Sequence, residues 1–299
     1  MNNTNKGILL ALTTAFFWGV LAIALKVAVN VVDPYTIVWF RFAFAAVALF
    51  ILLFIFDKKQ LRVLIKPPFW LIVASIALSI NYIGFMLGVK YTSPSNAQVV
   101  IQIGQVLFAL SGIIIFKEKI RKRQIIGFVI VILGFILFYI QQLKSLFFNT
   151  EDFNIGVLLT VLASVTWAIY AIIQKKLIHK YPPQTQNLLI FTLPIFFYLP
   201  FANFSNLGSI SIGYWALLIF LGANTLIAYG CMTASLKYLE ANKVSAILIT
   251  NPILTFIIMA ILTILNVSWI DGERFTFLTW VGAITFIVGA FLVVRSGKK

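Results

Sequence analysis

The sequence predicts an all-α integral membrane protein of ten transmembrane helices, arranged as two inverted five-helix repeats. Three observations carry that prediction. The 299 residues are 62% hydrophobic and only 10% charged, with a mean hydropathy of +1.03, far from the balance of a soluble domain. Long apolar runs alternate with short loops that hold the charges and most prolines. The second half of the chain repeats the first. A spanning helix takes roughly 20 apolar residues, so a chain of this length with short loops has room for about ten.

Apolar runs bounded by charges and turn residues give the segments Gly7 to Val29, Pro34 to Phe56, Phe69 to Val89, Ser95 to Phe116 and Gln124 to Ile140, then Ile155 to Ile173, Gln186 to Asn203, Ile212 to Leu236, Val244 to Leu265 and Phe277 to Val294. Pro34, Pro67 with Pro68, Pro94, and Pro182 with Pro183 lie just before or in the first turn of a segment, where a missing N–H costs little. Pro194, Pro200 and Pro252 fall inside the seventh and ninth segments and predict kinks or openings there. Lys6 followed by an apolar run with Ala22 and Ala24 has the outline of a cleaved signal. The run is long for that class and has a later internal copy, so it is expected to be retained.

Lysine and arginine sit in alternate loops. With the N-terminus inside, eighteen fall on the inner side and four on the outer, leaving Arg41 within the second segment. This places both termini in the cytoplasm. The basic residues lie in short clusters between apolar runs, as orientation signals do, so the net charge of +15 is no nucleic-acid footprint. A single cysteine, Cys231, excludes an internal disulfide, and one histidine, His179, in a basic loop makes a His/Cys metal site improbable. No cofactor is indicated. The implied partners are the lipid bilayer and a small molecule; a homodimer is left open.

A shift of 149 residues superposes Gly7-Ile-Leu-Leu on Gly156-Val-Leu-Leu, Trp18 on Trp167, Lys26 on Lys175 and Pro34 on Pro183. A shift of 147 places Tyr82 on Tyr229, Lys90-Tyr91 on Lys237-Tyr238 and Gln105 on Pro252; a shift of 155 places Glu118 on Glu273, Gly127 on Gly282 and Gly134 on Gly289. The domains are therefore 1–140 and 155–299, joined by a linker, 141–154, whose Leu143, Leu146, Phe147 and Phe148 are expected to rest at the membrane interface. Five is odd, so the second copy enters the membrane from the opposite side. Such inverted repeats are the design of alternating access around a midplane site.

Polar residues inside the segments nominate that site. Gln98, Gln102 and Gln105 recur at spacings of four and three along one helix face. An unpartnered amide in hydrocarbon costs several kcal/mol, so the stripe faces other helices, bonding them or lining a water-filled cavity. Trp18, Asn81 and Tyr82 from the first half and Trp167, Tyr170, Asn224, Tyr229 and Asn251 from the second are the other candidates for substrate binding. Trp18 and Trp167 are mid-segment, away from the interfacial aromatic belt, and either pack or form an amphipathic wall with the tyrosines. Asn251-Pro252 predicts an opened backbone near the midplane. Arg41 is an intramembrane cation, either a binder of an anionic group or a structural arginine that snorkels or bonds carbonyls. No Asp or Glu lies inside a segment, which argues against an intramembrane carboxylate relay. Glu118 is expected to pair with Lys117, Lys119 or Arg121.

Trp18-Gly19 with Lys26, Arg41 after a Pro-led start, Lys90-Tyr91-Thr92-Ser93, Phe116-Lys117-Glu118, and Gly127 with Gly134 together resemble the EamA-type transporters of the drug/metabolite transporter superfamily, over essentially the whole chain. The resemblance implies a cavity lined by helices of both halves, peripheral fifth and tenth helices, an inner-membrane location, and export of amino acids or related metabolites. Nucleotide sugars, drugs or other solutes are the alternatives within transport. The halves differ where Ile190 matches Arg41 and Pro252 matches Gln105. A membrane enzyme would need a nucleophile with its base, a carboxylate pair or a metal cluster within the segments, and none is seen. A non-transporting scaffold or complex subunit is the competing class.

Overall fold

The computed structural model describes residues 2–119, 121–146, 151–205, 207–273 and 276–295, and among these every regular element is helical. The long helices are α1 (Asn3–Ala28), α2 (Pro34–Phe56), α3 (Phe69–Tyr91), α4 (Pro94–Ile114), α5 (Lys122–Leu146), α6 (Glu151–Leu177), α7 (Pro183–Tyr198), α8 (Ile212–Ser235), α9 (Ala241–Ile264) and α10 (Phe277–Arg295). Among the described residues seven, α1 to α4, α6, α8 and α9, are long and apolar enough to cross a membrane.

Local chemistry sets the ends. Asp33 accepts the N–H of Tyr35 and Thr36, both at 3.0 Å, with Pro34 opening α2. Ser93 caps α4 through the Asn96 N–H at 3.3 Å. Helix α7 is only 16 residues long; it carries Pro194 and passes into a 3-10 turn, Leu199–Phe201, that contains Pro200. Helices α1, α5 and α6 run past their expected ends into polar residues, so the linker begins as helix. Residues 147–150, and the side chains of Leu143 and Leu146, lie outside the described residues.

Both α4 and α9 are interrupted at mid-length, α4 at Ile101 and α9 at Ile249 and Thr250. Pro252 accounts for the α9 break, since it supplies no N–H to the Leu248 carbonyl and its ring crowds that carbonyl. Helix α4 has no proline there. Its turn tightens instead: the Gly104 N–H reaches the Ile101 carbonyl at 3.0 Å, while the Gln102 side-chain amide bonds the Gln98 carbonyl at 2.8 Å.

Packing repeats itself across the molecule. Helix α1 packs on α8 and α9, as α6 packs on α3 and α4; α5 packs on α10 and α2 on α7. Gly7, near the start of α1, abuts Tyr238 and Leu239 beyond the end of α8, and Gly156, near the start of α6, abuts Tyr91 and Thr92 at the end of α3. Thus α1 is antiparallel to α8, and α6 to α3. In the α5–α10 contact, a Cβ on Gly134 would stand 2.5 Å from the Phe286 backbone nitrogen; only glycine admits so close an approach. Outward-facing Val129, Ile132, Leu133 and Ile136 of α5 and Ile284, Val288 and Phe291 of α10 are exposed, as suits a hydrocarbon surround.

Candidate functional site

The centre of the bundle holds a small cavity of about 40 Å³, lined by residues of α1, α3, α4, α6, α8 and α9. Seven of the twelve residues nominated from the sequence line it: Trp18, Asn81, Gln98, Gln105, Trp167, Tyr229 and Asn251. Leu21, Phe85 and Ile101 complete the lining. They lie three or four residues from Trp18, Asn81 and Gln98, so helical periodicity was the signal that could have found them.

Equivalent residues of the two halves meet here. Trp18 and Trp167 pack edge to face with ring centroids 5.8 Å apart at 82°. Tyr229 stands 5.2 Å from Trp18, 5.6 Å from Tyr82 and 5.8 Å from Tyr170. Rings at these separations form a rigid, amphipathic wall. Tyr82 and Tyr170 therefore form the layer behind the cavity rather than its surface.

The amides are partly engaged with neighbouring helices. Gln98 donates to the Trp18 carbonyl at 2.6 Å, Asn81 to the Ala163 carbonyl at 2.9 Å, and Gln102 to Asn251 Oδ1 at 2.9 Å. Gln98 bonds across helices while facing the cavity. Gln102 turns aside to a second, apolar cavity of about 20 Å³ with Val99, Phe135, Phe138, Pro252, Ile253, Phe256, Ala283 and Phe286. Asn224 leaves the site altogether and donates to the Phe17 carbonyl at 2.7 Å.

Three buried polar atoms of residues lining this centre have no hydrogen-bond partner, Nε1 of Trp18 and of Trp167 and Oε1 of Gln105, and Gln102 Oε1 beside the second cavity has none either. Leaving a buried donor or acceptor unpaired costs roughly 1–3 kcal/mol each. Such groups normally find partners, so a cluster of them around one cavity marks the place where a ligand would supply them.

Arg41 does not snorkel. It is 2% exposed, its guanidinium carbon lies 4.3 Å from the Tyr82 ring centroid, and its Nε donates to Thr225 Oγ1 at 3.2 Å. Burial against an aromatic face strengthens that cation–π contact. The cation thus sits two rings behind the cavity, through Tyr82 and Tyr229.

Glu118 also departs from expectation. Its carboxylate accepts the backbone N–H of Ala241 at 2.7 Å and of Asn242 at 3.1 Å rather than a basic neighbour. A polar network that the sequence reading did not assemble ties α6, α7 and α8: Gln174 donates to Asn187 at 2.8 Å, and Thr233 bonds Gln174 at 2.9 Å.

The profile of the EamA-like transporter family matches the chain twice, over residues 5–140 and 154–295. The Escherichia coli K12 protein named "Uncharacterized inner membrane transporter YhbE" is 33% identical over 289 residues, covering 95% of this chain and 89% of that one. An "Uncharacterized transporter" of Haemophilus influenzae is 30% identical over 289 residues, covering 96% and 94%. A solved crystal structure superposes with a TM-score of 0.74 at 14% identity, covering 99% of both chains, a likeness of fold alone. Both sequence relatives are named as transporters. A twofold profile match, whole-length relatives named as transporters and apolar spanning helices identify the chain as a multi-pass inner-membrane protein that belongs to the EamA-like transporter family.

Proposed function

We propose that the protein exports a small metabolite, an amino acid or a related compound, by alternating access through the central cavity. Its ten helices act as two inverted five-helix repeats, 1–140 and 155–299, with both termini in the cytoplasm. The observation that carries this reading is the set of unpartnered polar atoms, drawn from both halves, around an uncharged aromatic cavity. A scaffold has no use for such groups, whereas a solute with hydrogen-bonding groups and an apolar flank satisfies them on binding and leaves them exposed to water on release. The same pairings recurring between α1 and α8 and between α6 and α3 support rocking of one half against the other.

Among the described residues no carboxylate lies within the middle turns of a helix. The reading is accordingly a facilitator or exchanger, or coupling through an end group such as Glu118. Purified protein in liposomes, offered a mixed pool of labelled amino acids and metabolites, provides the test, with Gln102→Leu and Arg41→Gln alongside. Selective accumulation that falls in either variant supports the assignment. Folded protein that accumulates nothing beyond protein-free liposomes, and whose Gln102→Leu form is as stable or more so, speaks for a scaffold.

A further inference from the structure

The two ends of the bundle are built alike. At one, Lys26 in the last turn of α1 donates to the carbonyls of Val89, Lys90 and Thr92 at 3.2, 3.0 and 3.2 Å, while Glu273, from the α9–α10 connection, accepts the Ser95 N–H at 3.2 Å in the first turn of α4. At the other, Lys175 in the last turn of α6 donates to the carbonyls of Leu236 and Leu239 at 3.2 and 2.7 Å. There Glu118, from the α4–α5 connection, accepts the N–H groups that open α9. By the shift of 147 that relates the halves, Val89 and Thr92 map onto Leu236 and Leu239 and Ser95 onto Asn242, while the Lys90 carbonyl and the Ala241 N–H have no counterpart bond. Because α1 runs antiparallel to α8, whose end Lys175 holds, the two sets lie at opposite ends of the molecule. The chain enters both connections through left-handed residues, Lys117 at φ 53° and Asn266 at φ 48°.

The lysines and glutamates do different things. Each lysine closes a helix C-terminus within its own half, α1 to α3 or α6 to α8, where a cation is favoured. Each glutamate crosses: Glu273 of the second half caps α4 of the first, and Glu118 of the first half caps α9 of the second. Helices α4 and α9 both line the central cavity and are both broken at its level. The carboxylates are therefore ties that separate when the halves part at one end, and their charge-assisted bonds can be exchanged for water.

We propose that Glu273 and Glu118 are the two latches of the transport cycle, each sealing one end of the cavity by capping the interrupted helix of the opposite half and releasing it in alternation; both are closed in this structure. The proposal rests on the transporter reading above. It is tested with a Leu21→Cys reporter in a Cys231→Ala background, labelled by a membrane-impermeant thiol reagent from either side of sealed vesicles.

Glu273→Ala, which removes the acceptor, is expected to raise labelling from the Lys26 side roughly fivefold, within what the loss of one hydrogen bond can shift, and to lower it from the other side. Glu118→Ala is expected to do the reverse. Ala241→Pro removes one N–H that Glu118 accepts, and follows an extended Glu240 where proline is tolerated. It should copy Glu118→Ala, and keeps the test decisive if an alanine variant fails to fold. Folded variants that shift accessibility to the same side, or not at all, overturn the latches while leaving transport standing. A wild-type reporter that no reagent reaches from either side, in protein that moves no solute, overturns the transporter reading and the latches with it.

Discussion

Arg41 shows how little a residue's identity says until its neighbours are known. The sequence marks it as an intramembrane cation; the fold buries it to 2% exposure on the face of Tyr82. Snorkelling is ruled out by that geometry, and what is left is a buried charge held by an aromatic ring and a threonine hydroxyl. If it biases the cavity toward anionic groups, Arg41→Gln lowers uptake of carboxylate-bearing solutes roughly tenfold, about 1.4 kcal/mol. Its thermal midpoint is expected to hold steady or rise, since replacing a buried charge is often neutral or stabilising. Unchanged uptake and unchanged stability would leave Arg41 with neither role.

The indoles offer a finer probe at the same scale. Trp167→Phe keeps an aromatic side chain but removes the pyrrole part of the indole with the Nε1 donor that lacks a partner. A solute bonded there should lose about 0.5–1.5 kcal/mol of binding, read as a rise in half-saturation concentration, beside a stability loss of roughly 1 kcal/mol from the space the pyrrole ring vacates. An unchanged half-saturation concentration would show that the ring serves packing alone.

At the scale of elements, the α5–α10 pair depends on glycine. Gly134→Ala sets a methyl group against the Phe286 backbone, and overpacking of this kind costs roughly 1–3 kcal/mol. A lowered thermal midpoint in detergent is expected, with solute recognition in the surviving folded protein unaltered because α5 and α10 do not line the central cavity.

The connections carry a pH signature as well. Burial pushes the Glu273 carboxyl above its usual 4.5, against hydrogen bonds from Ser95 and Ser93 and the charge of Lys26; Asp271 also faces Lys26. A carboxyl raised in this way holds its proton more tightly folded than unfolded. Its contribution to stability is greatest below 4.5 and declines as pH rises through the folded value. Glu273→Gln, locked in the neutral form, is expected to flatten the midpoint-against-pH curve across that window. An equal slope in wild type and variant would mean that Glu273 does not titrate there.

For the whole molecule, topology is the quantity to measure. Reporter fusions at Lys122 and Ser145, the two ends of α5, are expected on opposite sides of the membrane; the same compartment for both would sink the ten-helix count. Much of the architecture was legible beforehand. Apolar run length marked the helices while missing some ends by more than a turn, as at Leu146 of α5 and Tyr198 of α7, and matched pairs such as Trp18 with Trp167 and Lys26 with Lys175 revealed two copies. The α9 break was readable from Asn251-Pro252. The α4 break was not, because a tight turn at Ile101 made without proline leaves no mark in composition.

Composition, run length and internal repetition, then, determined by themselves a membrane-embedded helical chain of two related halves, since partition into lipid and helix length depend on local sequence alone. Tertiary structure alone decided which amides meet the cavity, that Asn224 is spent on the α1 backbone, that Arg41 lies behind Tyr82, and that Glu118 and Glu273 cap helices of the opposite half. Those outcomes hinge on partners far away in sequence, and a polar side chain in a dry interior takes its role from whichever donor or acceptor the fold brings within about 3 Å.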